Sequence, residues 1–236
     1  MQDPRPTRES LVLLAVLVEG GLGVLALALG WWLACPPLQT LRWTPGAFAV
    51  GVAAAVPMIG LLLTTVRFPM WPFSDVLRVV DELLAPLFRD CRVVDLAVIS
   101  ILAGLGEEML FRGLIQQGVA RWVAGPSGPW VALAAAAVLF GLAHAITPGY
   151  VVLAGLMGLY LGGVWIVSGN LLAPIATHAV YDFVALLYLA KWRRPPAITR
   201  DEGPTPQDEA ACQRGEEPTF QEDAASRQGD GPTPWE

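Results

Sequence analysis

Residues Leu11 to Ala34 read LVLLAVLVEGGLGVLALALGWWLA, an apolar run with Glu19 as its single charged residue. A helix of this length can cross a bilayer, whose hydrocarbon core requires roughly 20 mostly apolar residues. The run is too long for the apolar region of a signal peptide and lacks a convincing small-residue cleavage site. We therefore expect it to be a retained membrane anchor.

The rest of the chain continues this composition. The whole chain is 54% hydrophobic and only 15% charged, whereas soluble domains average about 25% charged residues. Short turns such as Thr147-Pro148-Gly149 and Ser168-Gly169-Asn170 separate neighbouring apolar runs and predict antiparallel helices. The pattern predicts an all-α, polytopic transmembrane helix bundle of about six spans. These spans are 11–34, 47–66, 93–122, 129–146, 150–167 and 171–190.

One further helix is predicted between the second and third spans, from Ser74 to Asp90. Its apolar residues recur at helical spacing, with Arg78, Asp81 and Glu82 on the other side. Such an amphipathic helix is typical of a segment that lies along a membrane surface or against a bundle. We interpret it as packing scaffold.

The net charge of −6 belongs to the C-terminal segment. Residues 195–236 carry three arginines and ten acids, a net of −7, while the preceding residues hold twelve basic and eleven acidic residues, a net of +1. The segment is rich in Pro, Gly, Asp and Glu and cannot bury enough apolar area to offset its ordering entropy. We predict that it is a disordered acidic tail.

The basic residues predict the orientation of the bundle. In the six-span arrangement only Arg42 and Arg121 fall on one side of the membrane. By the positive-inside rule, both termini are then cytoplasmic. The opposite, cytoplasmic group comprises Arg5, Arg8, Arg67, Arg78, Arg89, Arg92, Lys191, Arg193 and Arg194.

Several ionisable residues interrupt the apolar spans. Glu107, Glu108 and Arg112 lie in the third span, and His178 and Asp182 lie in the last. Each charge near the centre of a bilayer costs about 2.5–3.5 kcal/mol. Such residues are tolerated when they face one another or a wet cavity, so their positions predict a functional site.

Helical spacing suggests how these residues divide their roles. Glu108 and Arg112 are four residues apart and can form an ion pair on one helix face. Glu107 is rotated about 100° away, which leaves it free to act as a general base. The chain has two histidines, His144 and His178, and both lie in or beside apolar spans. His144 falls near the end of its short span, so its convergence with Glu107 requires tilted helices or a break within the membrane.

Three motifs resemble those of the CAAX prenyl protease and bacteriocin-processing family of intramembrane glutamate endopeptidases, also called the abortive-infection family. Residues 107–112, EEMLFR, resemble its EExxxR motif, and residues 140–144, FGLAH, resemble FxxxH. Residues 178–182, HAVYD, resemble HxxxN or HxxxD. All three occur in the family's order within about residues 93–190. The resemblance implies a helical membrane protease.

The resemblance also implies roles for the motif residues. Glu107 would activate the hydrolytic water with help from His144, while Glu108 and Arg112 support the site. The residues of the third motif would stabilise the oxyanion of the tetrahedral intermediate.

The last residue of the third motif departs from the simplest version of this mechanism. An asparagine at 182 could donate a hydrogen bond to the oxyanion, but an ionised Asp182 cannot. Asp182 must therefore stay protonated or orient and charge His178, and we favour the second.

The sequence accordingly predicts three regions: N-terminal helices in 1–92, a catalytic transmembrane core in 93–194 and the tail in 195–236. The expected partners are the lipid bilayer and a membrane protein or lipidated, CAAX-like peptide as substrate. We expect no nucleic acid partner and no cofactor. The expected location is a bacterial plasma membrane.

Three alternatives stay open at this point. A zinc protease would use Glu107, His144 and His178 as ligands, since three protein ligands plus water form a catalytic zinc set. Against it, the chain has no HExxH motif. The buried charges could also form an ion or proton path in a transporter, or the fold could serve an immunity or scaffold protein without catalysis.

Overall fold

The structure is a computed structural model that describes residues 7–68, 73–123 and 125–192. Every regular element in these ranges is helical, which confirms the all-α prediction. The predicted disordered tail, 195–236, lies outside the described residues.

The helices follow the predicted spans closely. Four of them, α1, α2, α8 and α9, are long and apolar enough to cross a membrane, while α7 is apolar but shorter. The amphipathic segment forms the short elements α3, π1 and α4, where π denotes a π-helix. In chain order the elements are α1 Arg8–Trp32, α2 Pro45–Arg67, α3 Phe73–Val79, π1 Val80–Leu84, α4 Ala85–Phe88, α5 Val93–Glu108, π2 Met109–Gln116, α6 Gln117–Trp122, α7 Gly128–Ala143, α8 Pro148–Ser168 and α9 Leu172–Lys191.

Capping residues fix where several helices begin and end. The hydroxyl of Thr44 accepts a hydrogen bond from the Ala47 amide at 3.3 Å, and Thr147 caps α8 in the same way. Each threonine precedes a proline at the first helical position, where the missing N–H is not needed. α8 ends at Gly169, whose φ of 59° is the left-handed conformation that glycine adopts without strain.

The predicted third span, 93–122, is one continuous helical path with a change of geometry in its middle. α5 ends at Glu108, π2 follows at once, and α6 completes the path to Trp122. The sequence predicts one helix here, and the structure adds wider i→i+5 turns directly after the acid pair. π-helical turns inside helices occur frequently at functional sites.

Small residues let the helices around α5 and α9 approach closely. A Cβ added at Gly104 of α5 would lie 3.0 Å from the Ala179 backbone nitrogen of α9. One added at Gly51 of α2 would lie 2.5 Å from the Ala173 carbonyl oxygen of α9. Such small-residue contacts are how helices associate within lipid. They bring α2 and α5 against the same helix, α9.

Polar contacts tie the elements together at the end of the bundle where α1 begins. Arg8 pairs with Asp95 at the start of α5, at 2.8 Å. Lys191, the last residue of α9, donates to the Cys91 carbonyl at 2.9 Å. The first and last helices are therefore both fastened to the segment that leads into α5.

A different set of contacts closes the opposite end. The Asn170 side chain accepts from the Arg42 amide at 3.0 Å and donates to the Arg42 carbonyl at 2.8 Å. Asn170 therefore acts as a turn residue that fastens the α1–α2 linker to the α8–α9 turn.

We predict that Gly106→Ala destabilises the protein. A Cβ at this position would collide with the carbonyl oxygen of Glu19 in α1, a backbone atom that cannot rotate away. Overpacking of this kind costs about 1–3 kcal/mol, and it should lower the unfolding midpoint in detergent. Gly20→Ala is the matched control because no atom lies within 4 Å of the added methyl. Equal midpoints for the two variants would contradict the close α1–α5 contact.

Candidate active site

The six predicted site residues come from three places in the fold: the junction of α5 with π2, the middle of α9, and the residue directly after α7. The bundle brings these places together, although they are distant in sequence. In that order the residues are Glu107, Glu108 and Arg112, then His178 and Asp182, and finally His144.

Glu108 is the centre of a buried network. Its Oε1 atom accepts from Arg112 Nη1 at 2.7 Å and lies 2.9 Å from His178 Nδ1. The Glu108 and Arg112 side chains are 0% and 1% exposed. Arg112 Nη2 also donates to the Gly158 carbonyl of α8 at 3.0 Å. The ion pair that the spacing predicts is therefore present, and its contacts reach α8 and α9.

His178 lies between two carboxylates. Its Nδ1 faces Glu108, while its Nε2 lies 3.4 Å from Asp182 Oδ2, one turn further along α9. Carboxylate oxygens accept hydrogen bonds, and both ring nitrogens can donate only in the doubly protonated ring. This geometry allows Asp182 to orient His178 and to favour its charged form.

Glu107 and His144 face each other across a short gap. Glu107 Oε2 lies 3.8 Å from His144 Nε2 and has no hydrogen-bond partner among the described residues. His144 Nδ1 is 2.8 Å from the Phe140 carbonyl oxygen, which can only accept, so Nδ1 carries the proton. In the neutral ring, Nε2 then presents a lone pair toward Glu107. A separation above 3.5 Å between polar atoms is compatible with a bridging water.

Phe140 contacts both His144 and Arg112. Its ring stacks on His144 with centroids 4.6 Å apart, and the Arg112 guanidinium carbon lies 4.7 Å from the same ring centroid. Stacking and cation–π contacts of this kind stabilise side chains in a desolvated site. The phenylalanine of FxxxH thus orients the histidine that follows it by one helical turn.

The end of α7 explains how His144 reaches Glu107. α7 stops at Ala143, and α8 begins at Pro148, so His144 lies in the short connection between them. The turn from α7 into α8 therefore lies beside the site.

Glu19 of α1 adjoins the site, although no motif includes it. It interacts electrostatically with Asp182 and His178, and its Oε2 is buried without a hydrogen-bond partner among the described residues. Its isolation in an apolar run is a signal in the sequence, but the sequence does not say which helix it meets.

Two further groups beside the site were not predicted. Tyr150 of α8 stacks near His144 with ring centroids 6.4 Å apart. The Gly158 carbonyl, which accepts from Arg112, has no sequence signal because every residue carries a carbonyl.

Within the described residues, no group of three or more His, Cys, Asp and Glu side chains is arranged to hold a metal ion. Each ring nitrogen of His178 faces a carboxylate instead.

Apolar helices that enclose paired acids and imidazoles define an integral membrane protein with a buried polar site. The particular family follows from a comparison with family models, in which residues 90–184 match "Rce1-like: Type II CAAX prenyl endopeptidase Rce1-like". This segment contains all three motifs, and the match confirms the predicted resemblance. The match implies protease activity in general and suggests membrane-associated substrates. Neither the curated proteins nor the solved structures gave a match.

Proposed function

We propose that this protein is an intramembrane glutamate endopeptidase that hydrolyses a peptide bond of a membrane-associated or lipidated, CAAX-like substrate. The observation that carries the proposal is the facing pair of Glu107 Oε2 and His144 Nε2, 3.8 Å apart. A carboxylate oxygen and an imidazole lone pair at this distance can hold one water and accept its proton.

In the proposed reaction, Glu107 takes a proton from the water while the water oxygen attacks the carbonyl carbon of the scissile bond. The tetrahedral intermediate carries an oxyanion, which His178 stabilises as a hydrogen-bond donor. The C–N bond then breaks, and the proton held by Glu107 passes to the departing amine. Water is consumed, and a carboxylate and an amine are released.

The contacts of His178 support this role. Nδ1 is already engaged by Glu108 at 2.9 Å, but the contact of Nε2 with Asp182 is longer, at 3.4 Å. The Asp182 side chain is 25% exposed, whereas His178 is 4% exposed. An oxyanion can therefore compete with Asp182 for the Nε2 proton while Glu108 keeps the ring in place.

We also propose that the reaction needs no metal. A zinc ligand must present an unprotonated ring nitrogen, and the flanking carboxylates favour protons on both nitrogens of His178. The Glu107–His144 pair alone offers two protein ligands, fewer than the three of known catalytic zinc sites.

We further propose that the end of the bundle bearing Arg8 and Lys191 is cytoplasmic, in keeping with the positive-inside rule. A bacterial plasma membrane is the location that this proposal assumes.

The test compares membrane proteomes of cells that carry the wild-type protein or His144→Ala. We expect peptides with new termini only with the wild type, and a synthetic version of one such peptide should be cut in liposomes about 100-fold more slowly by the variant. Chelators should leave wild-type cleavage unchanged, whereas loss of cleavage that zinc restores would favour the zinc protease. Proton or ion flux in the same liposomes without any cleavage would favour a transporter.

A further inference from the structure

A polar cavity lies at the opposite end of the bundle from Arg8 and Lys191. It forms where the α1–α2 linker, the end of α6 and the end of α8 meet, and its volume is about 460 Å³. None of the six motif residues lines it. The side chains that matter for the argument are Gln39, Thr40, Arg42, Gln117, Arg121 and Trp165.

Two positive charges line this cavity, from Arg42 and Arg121, and no acidic side chain joins them among its described lining residues. The three stretches of sequence that form its walls, 33–44, 117–127 and 163–171, contain no aspartate or glutamate. The walls therefore provide two guanidinium groups and no carboxylate of their own, and an external anion would complete the site.

Hydrogen bonds hold both guanidinium groups at the cavity. Arg42 Nη2 donates to the Gly169 carbonyl at 3.1 Å, and Arg121 Nη1 donates to the Ala34 carbonyl at 3.4 Å. Arg121 Nη2 also donates to Gln39 Oε1. Each guanidinium has five N–H donors, so these bonds position the groups and leave further donors for a ligand.

Neutral side chains add hydrogen-bonding capacity. Trp165 Nε1 donates to the Thr40 hydroxyl oxygen at 3.1 Å, so the hydroxyl proton of Thr40 can be donated in turn. Gln117 is buried in the wall, where its amide already donates to the Pro36 carbonyl at 3.2 Å and to Gln39 Oε1 at 3.4 Å, so it supports the wall rather than a ligand. The cavity thus combines two positioned cations with a hydroxyl donor, a combination that suits a phosphate.

Exposed tryptophans place the cavity at the depth of lipid headgroups. Trp31, Trp32, Trp43 and Trp122 lie at this end of the bundle and are 74–92% exposed. Tryptophans in membrane proteins concentrate at the interface between the hydrocarbon core and water. An anion that reaches Arg42 and Arg121 at this depth can be the phosphate of a lipid.

We propose that this cavity binds a phosphate group, supplied by the headgroup of an anionic phospholipid. The two guanidinium groups would hold the phosphate oxygens, and the lipid chains would run along the apolar surface of the bundle. The alternative source of the same chemistry is free inorganic phosphate.

The test measures binding of fluorescent phosphatidylglycerol to delipidated protein in detergent. Replacing both arginines (Arg42→Gln with Arg121→Gln) should weaken binding roughly 30-fold, since each basic residue near an anionic lipid contributes about fivefold and the two factors multiply. Arg67→Gln, an exposed arginine at the other end of the bundle, is the matched control and should bind as the wild type does. Unchanged affinity in the double variant, or an equal loss in the control, would overturn the proposal.

Two further measurements test whether the geometry of the arginines matters and whether the phosphate comes from a lipid. Arg42→Lys with Arg121→Lys keeps both charges but loses the bidentate geometry of the guanidinium groups, so this variant should bind the lipid with intermediate affinity. Wild-type affinity would show that only net charge matters, and it would overturn the proposal that the two arginines form a specific phosphate site. This variant also tests the site if the glutamine variant has a lowered unfolding midpoint. Displacement of the labelled lipid by equimolar inorganic phosphate would overturn the lipid as the source.

Discussion

Glu107→Gln is expected to fold normally and to lose cleavage by about 100- to 10,000-fold, the range that a positioned general base contributes. An amide has nearly the shape of the carboxylate but cannot take a proton from water. Glu107 Oε2 makes no hydrogen bond with the described residues, so the substitution breaks no hydrogen bond of that atom. The initial rate of cleavage of an identified peptide in liposomes measures the effect.

The unfolding midpoint of Glu107→Gln should stay close to that of the wild type, which separates lost chemistry from lost structure. Glu9→Gln, an exposed acid in the first turn of α1, is the control for removing a carboxylate and should retain full activity. If Glu107→Gln cleaved the peptide at nearly the wild-type rate, Glu107 would not be the general base.

Arg112→Met is expected to lower the free energy of unfolding by about 3–5 kcal/mol, because it removes the arginine partner of the buried Glu108 carboxylate and leaves only His178 beside it. The Arg112 side chain is 1% exposed and its partner 0% exposed, so water cannot replace the lost ion pair. Unfolding in detergent, followed by circular dichroism, measures the loss. Arg121→Met changes an exposed arginine and should cost far less.

A double variant sharpens this prediction. Glu108→Gln combined with Arg112→Met removes both charges, and such replacements of buried pairs are often close to neutral. The glutamine side chain would still offer an oxygen to His178 Nδ1, which lies 2.9 Å from the present carboxylate. The double variant should therefore be more stable than Arg112→Met alone. A simple sum of the two single losses would show that Glu108 and Arg112 do not interact.

Much of the fold was predictable because lipid imposes a length and a composition on every helix that crosses it. The run from Leu11 to Ala34 could be recognised on this basis, and α1 occupies Arg8–Trp32. The π-helical turns of Met109–Gln116 could not be predicted, because apolar periodicity over eight residues does not distinguish i→i+4 from i→i+5 bonding. They depend on how this part of the chain packs against its neighbours.

Some contacts of the candidate site were likewise predictable from the sequence, and others were not. The pairing of Glu108 with Arg112 follows from local spacing, so it was predictable. The approach of Glu107 to His144 depends on the angles between helices, which the sequence does not encode locally. Glu19 shows the limit most clearly, because its charge is conspicuous in the sequence while its neighbours in α9 are set only by tertiary packing.

Because His144 lies beyond the end of α7, the site is more exposed on the His144 side than on the Glu107 side. The His144 side chain is 29% exposed, while Glu107 beside it is 10% exposed. The proposed hydrolytic water is therefore activated at the boundary between the more exposed end of α7 and the buried interior. α7 runs back toward the end of the bundle where α1 begins, so this boundary faces that leaflet. Under the proposed function, we expect the bond to be cut to be presented from that leaflet.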